Sequence, residues 1–102
     1  MKVTQQKIPG LYIIEPVVHQ DERGMFLRSF CKESLAENGV RFDALQGNIS
    51  VNSKKKTLRG FHYQADPTRE SKILNIISGA IYNVVIDLRY ESETYGIWEA
   101  LE

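Results

Sequence analysis

The stretch Lys72-Ile73-Leu74-Asn75-Ile76-Ile77-Ser78-Gly79-Ala80-Ile81-Tyr82-Asn83-Val84-Val85-Ile86-Asp87-Leu88 decides the fold class. Two runs rich in β-branched and aromatic residues, 72–77 and 80–88, flank the dipeptide Ser78-Gly79. That composition suits two strands joined by a tight hairpin turn. Toward the N-terminus, 57–64 and 44–51 read as further strands. In 25–31 the spacing sets Phe26 and Phe30 on one pleat face, as in a strand. Residues 10–15 give another strand, stopped by Pro16, which has no amide proton for a ladder. Between these two, 17–24 reads as a connection ending in the turn-like Asp21-Glu22-Arg23-Gly24. Only 33–38 offers a helix, with Gly39 where a left-handed C-terminal cap belongs. At the other end, Tyr95-Gly96-Ile97-Trp98-Glu99-Ala100-Leu101-Glu102 reads as a strand just beginning, and the expectation is the front part of something longer. Many short strands with one short helix imply an all-β sandwich or small barrel.

A chain of 102 residues has room for one domain, here taken as 1–102. With 42% apolar and 25% charged residues it is not a disordered sequence. Thirteen basic residues against thirteen acidic ones exclude a nucleic-acid binder that relies on a strong overall positive field. Cys31 is the single cysteine, so neither an intrachain disulfide nor a cysteine metal cluster is available. The first seven residues contain no apolar signal-like run, and no stretch approaches 18 apolar residues. The expected setting is the cytoplasm, without membrane or nucleic-acid partners.

Chemistry concentrates in Thr57-Leu58-Arg59-Gly60-Phe61-His62-Tyr63-Gln64 and in Lys72 beyond it. Histidine, with an ordinary pKa of about 6.5, can accept a proton at neutral pH. The planar guanidinium of arginine suits a phosphate. A lysine near a carbonyl oxygen can stabilise the charge that develops when an α-proton leaves. His62, Arg59 and Lys72 together fit proton abstraction beside a ketone on a phosphorylated molecule. The plainer alternative is a structural or surface histidine, a solvated turn at Lys54-Lys55-Lys56 and an inert Cys31. Arg59 and His62 are three apart, so an ideal strand directs them to opposite faces. Gly60 between them could permit a bulge that redirects one side chain, or Arg59 could sit at a rim.

Asp21-Glu22-Arg23-Gly24-Met25-Phe26, Gln46-Gly47-Asn48-Ile49-Ser50, Leu58 to Gln64, Ser71-Lys72 and Val85-Ile86-Asp87-Leu88-Arg89 stand in one collinear order, followed by Ser92 and Tyr95-Gly96. In this succession the chain resembles the dTDP-4-dehydrorhamnose 3,5-epimerases, over their N-terminal part. The resemblance implies a cupin fold, a small antiparallel β-barrel or jelly roll, in a homodimer that exchanges N-terminal strands. It implies a nucleotide-sugar substrate, dTDP-4-keto-6-deoxyglucose, epimerised at C3 and C5 for deoxysugar (rhamnose-type) and polysaccharide biosynthesis. No cofactor or metal is implied, because the C4 ketone of the substrate is the electron sink. By position, His62 is similar to the general base and Lys72 to the residue beside the C4 oxygen. Arg59 resembles a pyrophosphate ligand, Gln46 and Asn48 resemble polar contacts to the nucleotide sugar, and Arg23 resembles a nucleotide contact supplied to the neighbouring subunit. The family's Phe-x-Glu is Phe26-Leu27-Arg28 here, Asn83 replaces a common aspartate, and the family's tyrosine acid and histidine-paired aspartate belong to positions after residue 102.

Other readings compete with an epimerase. One is a related sugar-nucleotide isomerase handling C3 alone or interconverting ketosugars. A second is a non-catalytic nucleotide-sugar-binding module. A third is a metal-dependent cupin, which calls for two or three histidines and often His-x-His, whereas this chain has His62-Tyr63-Gln64 and His19.

Overall fold

The computed structural model describes residues 1–102 and contains three separate two-stranded antiparallel sheets and one helix. Strands β1 (Lys2–Gln5) and β2 (Tyr12–Glu15) pair from Lys2 opposite Glu15 to Gln5 opposite Tyr12. The first of these pairs also carries an ion pair at 2.9 Å. Strands β3 (Val18–Asp21) and β4 (Gly24–Leu27) form a tight hairpin closed at Asp21 opposite Gly24. Helix α1 spans Lys32–Glu37. Strands β5 (Asn83–Ile86) and β6 (Trp98–Leu101) pair from Asn83 opposite Leu101 to Ile86 opposite Trp98.

The helix end follows its sequence signal. Gly39 adopts φ +77, its amide donates to the Ala36 carbonyl, and the Val40 amide donates to the Leu35 carbonyl. These two bonds satisfy carbonyls that a helix end would otherwise leave open. Leu35 is buried beneath this cap.

Several sequence expectations are corrected. The connection expected at 17–24 contains β3, a strand of exposed residues that no apolar alternation announces. Strand β1 was likewise not expected from its polar sequence. Conversely, 44–51, 57–64 and 72–77 form no ladder, and the 80–88 run is a strand only over Asn83–Ile86. Ser78-Gly79 does turn, with Gly79 at φ +83, but its two flanks do not pair as a hairpin. A strand requires a hydrogen-bonding neighbour, and these segments find none within the chain. Their apolar side chains are bare: Leu45, Ile49 and Leu58 are each more than 90% exposed. Ile8 and Leu35 alone are buried apolar residues. The radius of gyration, 15.5 Å, exceeds the roughly 13 Å of a packed domain this long.

The connection between β5 and β6 is held by a polar clasp. Asp87, buried at the end of β5, accepts hydrogen bonds from the Arg89 amide (3.0 Å), Arg89 Nε (2.8 Å) and Arg89 Nη2 (2.8 Å). Ser92 Oγ and Thr94 Oγ1 donate to the same carboxylate at 2.6 and 2.7 Å. Arg89 Nη2 also donates to the Pro9 carbonyl at 2.8 Å, tying the N-terminal hairpin to this turn. Arg89, foremost among these partners, holds the Asp87 carboxyl far below the ordinary carboxylate range, while the burial produced by its own ligands opposes the shift.

A folded carboxylate with a depressed pKa contributes stability that is present above the unfolded pKa of about 3.9 and is lost as pH falls below it. Unfolding followed by Trp98 fluorescence is therefore expected to be insensitive to Asp87 titration from pH 7 to about 4, then to weaken. Asp87→Asn should lower stability near neutrality by about 1–3 kcal/mol and flatten the acid limb. Parallel acid profiles for the two proteins would contradict this assignment.

Candidate functional site

The block 54–72 carries six cationic side chains, Lys54, Lys55, Lys56, Arg59, Arg69 and Lys72, against the carboxylates Asp66 and Glu70. A chain that is neutral as a whole thus presents a local excess of positive charge, the field an anionic ligand needs. Every residue from Asp43 to Lys72 is exposed, so this charge faces solvent.

Arg59 leaves the turn of lysines with its Nε donating to Asn52 Oδ1 at 2.9 Å. The contact fixes the plane of the guanidinium while its two Nη amino groups make no hydrogen bond to protein. Gly60 follows at φ +110, a conformation that side-chain-bearing residues rarely adopt. A strict two-residue alternation therefore does not run from Arg59 to His62, so their spacing alone does not assign them to opposite faces. The His62 ring lies beside this glycine: a Cβ at Gly60 would sit 3.6 Å from Nδ1, an ordinary contact. Glycine is thus required here by its backbone rather than by lack of space.

Lys72 Nζ is paired with Glu70 Oε1 at 2.6 Å. Residues two apart in extended chain share a face, so the carboxylate lies on the same side as the ammonium it orients. Gln46 and Asn48 lie on the exposed segment 44–51, which pairs in no sheet, and neither side chain is hydrogen-bonded. No hydrogen bond or ion pair links Arg59, His62, Lys72, Gln46 and Asn48 to one another; they share one continuous exposed segment. Lys54-Lys55-Lys56 forms a solvated turn, as its composition suggested, closed by Thr57 Oγ1 donating to the Lys54 carbonyl at 2.8 Å.

Arg23 lies apart from this segment, in the β3–β4 turn. Its Nη2 is 2.6 Å from Asp21 Oδ2, and its amide donates to Asp21 Oδ1 at 2.9 Å. The pair lowers the Asp21 carboxyl and raises the Arg23 guanidinium from their ordinary values. Arg23 lines a cleft of about 400 Å³ with His19, Asp21, Met25 and Phe26 among its neighbours. Arg28 turns back to Cys31, Nη1 to Sγ at 3.8 Å, and Asn83 opens β5 half-buried. No group of three His, Cys, Asp or Glu side chains is arranged to hold a metal ion, and no helix is long and apolar enough to cross a membrane.

Sequence reasoning did not name Asn52 and Glu70, the groups that orient Arg59 and Lys72. Glu70 had a usable signal in its position two residues before Lys72. Asn52 had none, because its contact spans the lysine turn.

Comparison with known proteins gives this arrangement its context. Residues 5–102 match the family model described as dTDP-4-dehydrorhamnose 3,5-epimerase. A dTDP-4-dehydrorhamnose 3,5-epimerase of Shigella flexneri is 38% identical over 99 residues, 96% of this chain and 54% of that protein. One from Methanothermobacter thermautotrophicus is 41% identical over 91 residues, 89% of this chain and 48% of that protein. Among solved structures, the Bacillus anthracis dTDP-4-dehydrorhamnose 3,5-epimerase crystallised with TDP and PPi superimposes with a TM-score of 0.93 at 34% identity, over 98% of this chain and 57% of that one. The chain thus spans about half the length of the curated relatives it matches. Its architecture is all-β and cupin-like with one short helix, as expected. On the family match and the shared structure, the chain belongs to the dTDP-4-dehydrorhamnose 3,5-epimerase family.

Proposed function

We propose that this chain belongs to an isomerase that epimerises a dTDP-4-keto-6-deoxyhexose at C3, C5 or both, by His62-mediated proton abstraction beside the C4 ketone, in deoxysugar biosynthesis. The observation that supports the reading is the local excess of cations around His62, with Lys54, Lys55, Lys56, Arg59, Arg69 and Lys72 set against Asp66 and Glu70 on exposed chain. His62 takes the proton from the carbon next to C4. The electron pair of that C–H bond becomes the new C=C bond, and the carbonyl electrons move onto O4. Lys72, oriented by Glu70, meets the enolate oxygen, where a cation stabilises more charge in the transition state than in the ground state. A proton taken up from solvent at the opposite face inverts the centre and restores the ketone, while His62 releases its own proton to solvent, so no cofactor enters.

Arg59, with Nε occupied by Asn52, keeps its Nη amino groups for the pyrophosphate. Gln46 and Asn48 offer uncommitted amides to the sugar or the nucleotide. Arg23, in the exposed β3–β4 turn, is assigned as a nucleotide contact supplied to a neighbouring copy in a homodimer that exchanges N-terminal strands. The exposed edges of the β1–β2 sheet support that association.

Two measurements test these points. Incubation of dTDP-4-keto-6-deoxyglucose with the protein in D₂O should erase the C3 or C5 proton signal in the NMR spectrum. His62→Ala should slow that loss by about 10²–10⁴-fold while retaining dTDP binding. Binding without exchange by the native chain would replace the catalytic reading with a nucleotide-sugar-binding module. Light scattering at micromolar concentration should give more than one protomer, and a mass of one protomer would overturn the dimer.

A further inference from the structure

Residues 44–82, which hold Gln46, Asn48, Arg59, His62 and Lys72, are nearly without hydrogen bonds to the rest of the chain. Their bonds are local: Thr57 to Lys54, Arg59 to Asn52, Thr68 to Ala65, Lys72 to Glu70. One departs from this pattern. Arg69 Nη1 donates to Glu91 Oε1 at 2.7 Å, across a separation of 22 residues.

The guanidinium that makes this link is fully committed. Arg69 Nε and Nη2 each meet a different oxygen of Asp66 at 2.7 Å, a two-pronged grip that fixes the plane, and Nη1 is left to point at Glu91. Glu91 and Asp66 together raise the guanidinium pKa, and the Arg69 guanidinium in turn lowers that of the Glu91 carboxyl. The receiving end is the firm part of the molecule. Glu91 lies in the turn closed by the Ser92 amide on the Arg89 carbonyl at 3.0 Å, and Asp87 clasps Arg89 and Ser92 from below. Only Glu70 and Ser71 lie between Arg69 and Lys72, at most about 10 Å of chain.

We infer that Arg69 is a positioning residue: it docks the Lys72 segment on the β5–β6 connection through Glu91, and so sets where the Lys72 ammonium stands. The inference rests on the proposed role of Lys72, but the docking itself can be measured without any turnover. Because the Arg69–Glu91 pair is exposed, it adds little to global stability; its effect is on geometry.

The test places nitroxide labels at Ser71→Cys and Glu93→Cys in a Cys31→Ser background and measures their separation by pulsed electron spin resonance. Arg69→Gln and Glu91→Gln should each broaden the distance distribution, and the double variant should broaden it no further, since either change removes the same contact. Additive broadening, or a distribution unchanged by either variant, overturns the docking. With substrate in D₂O, Arg69→Gln should slow proton exchange about 10- to 100-fold with dTDP affinity within twofold, as a misplaced group does. Equal loss of affinity and rate would instead make Arg69 a ligand contact and overturn the positioning role. Failure of the native chain to exchange protons removes the proposed function, while the distance distributions still decide the docking.

Discussion

The Asp87 carboxylate is the interaction on which the β5–β6 connection and its tie to the N-terminal hairpin depend. A buried carboxylate is costly unless its lone pairs are filled, and here one arginine fork, two hydroxyls and a backbone amide fill them. The same Arg89 reaches the Pro9 carbonyl, so one charge centre joins the β5–β6 turn to the N-terminal hairpin. Only two apolar side chains are buried, so directional polar bonds take over much of the positioning that a core performs in a closed domain.

What the sequence disclosed follows from how local each cause is. The helix and its Gly39 cap were legible because a cap is decided within a few residues. The β5 and β6 strands were legible from their apolar runs. Strands β1 and β3 were not, because their polar residues are paired through backbone and give no alternation to read. The runs at 44–51, 57–64 and 72–77 carry strand composition without strand pairing, since composition states what a segment suits and not whether a neighbour is present. At the site, residue types pointed to His62, Arg59 and Lys72. The orienting groups Asn52 and Arg69 act across turns that no periodicity spans. Asp87, Arg89 and Ser92 stood in the family's succession, but only coordinates give them a task.

Geometry and charge agree in where they gather cations. The neutral chain concentrates positive charge between Lys54 and Lys72, and orients two of those cations with partners that leave them partly uncommitted. Charge gathered in one short segment suits a compact anion better than a long polyanion, which would call for charge along a whole face.

The lysine turn has a meaning beyond ligand attraction. It separates Ile49 and Val51 from Leu58 and Phe61, all of them bare and in no sheet. Unpaired strands recruit any complementary backbone, native or not, and stacked copies of one sequence would bring three like charges into register at every layer. Lys54-Lys55-Lys56 therefore acts as a gatekeeper: it penalises indiscriminate in-register stacking while leaving the flanking apolar runs open to a dissimilar strand.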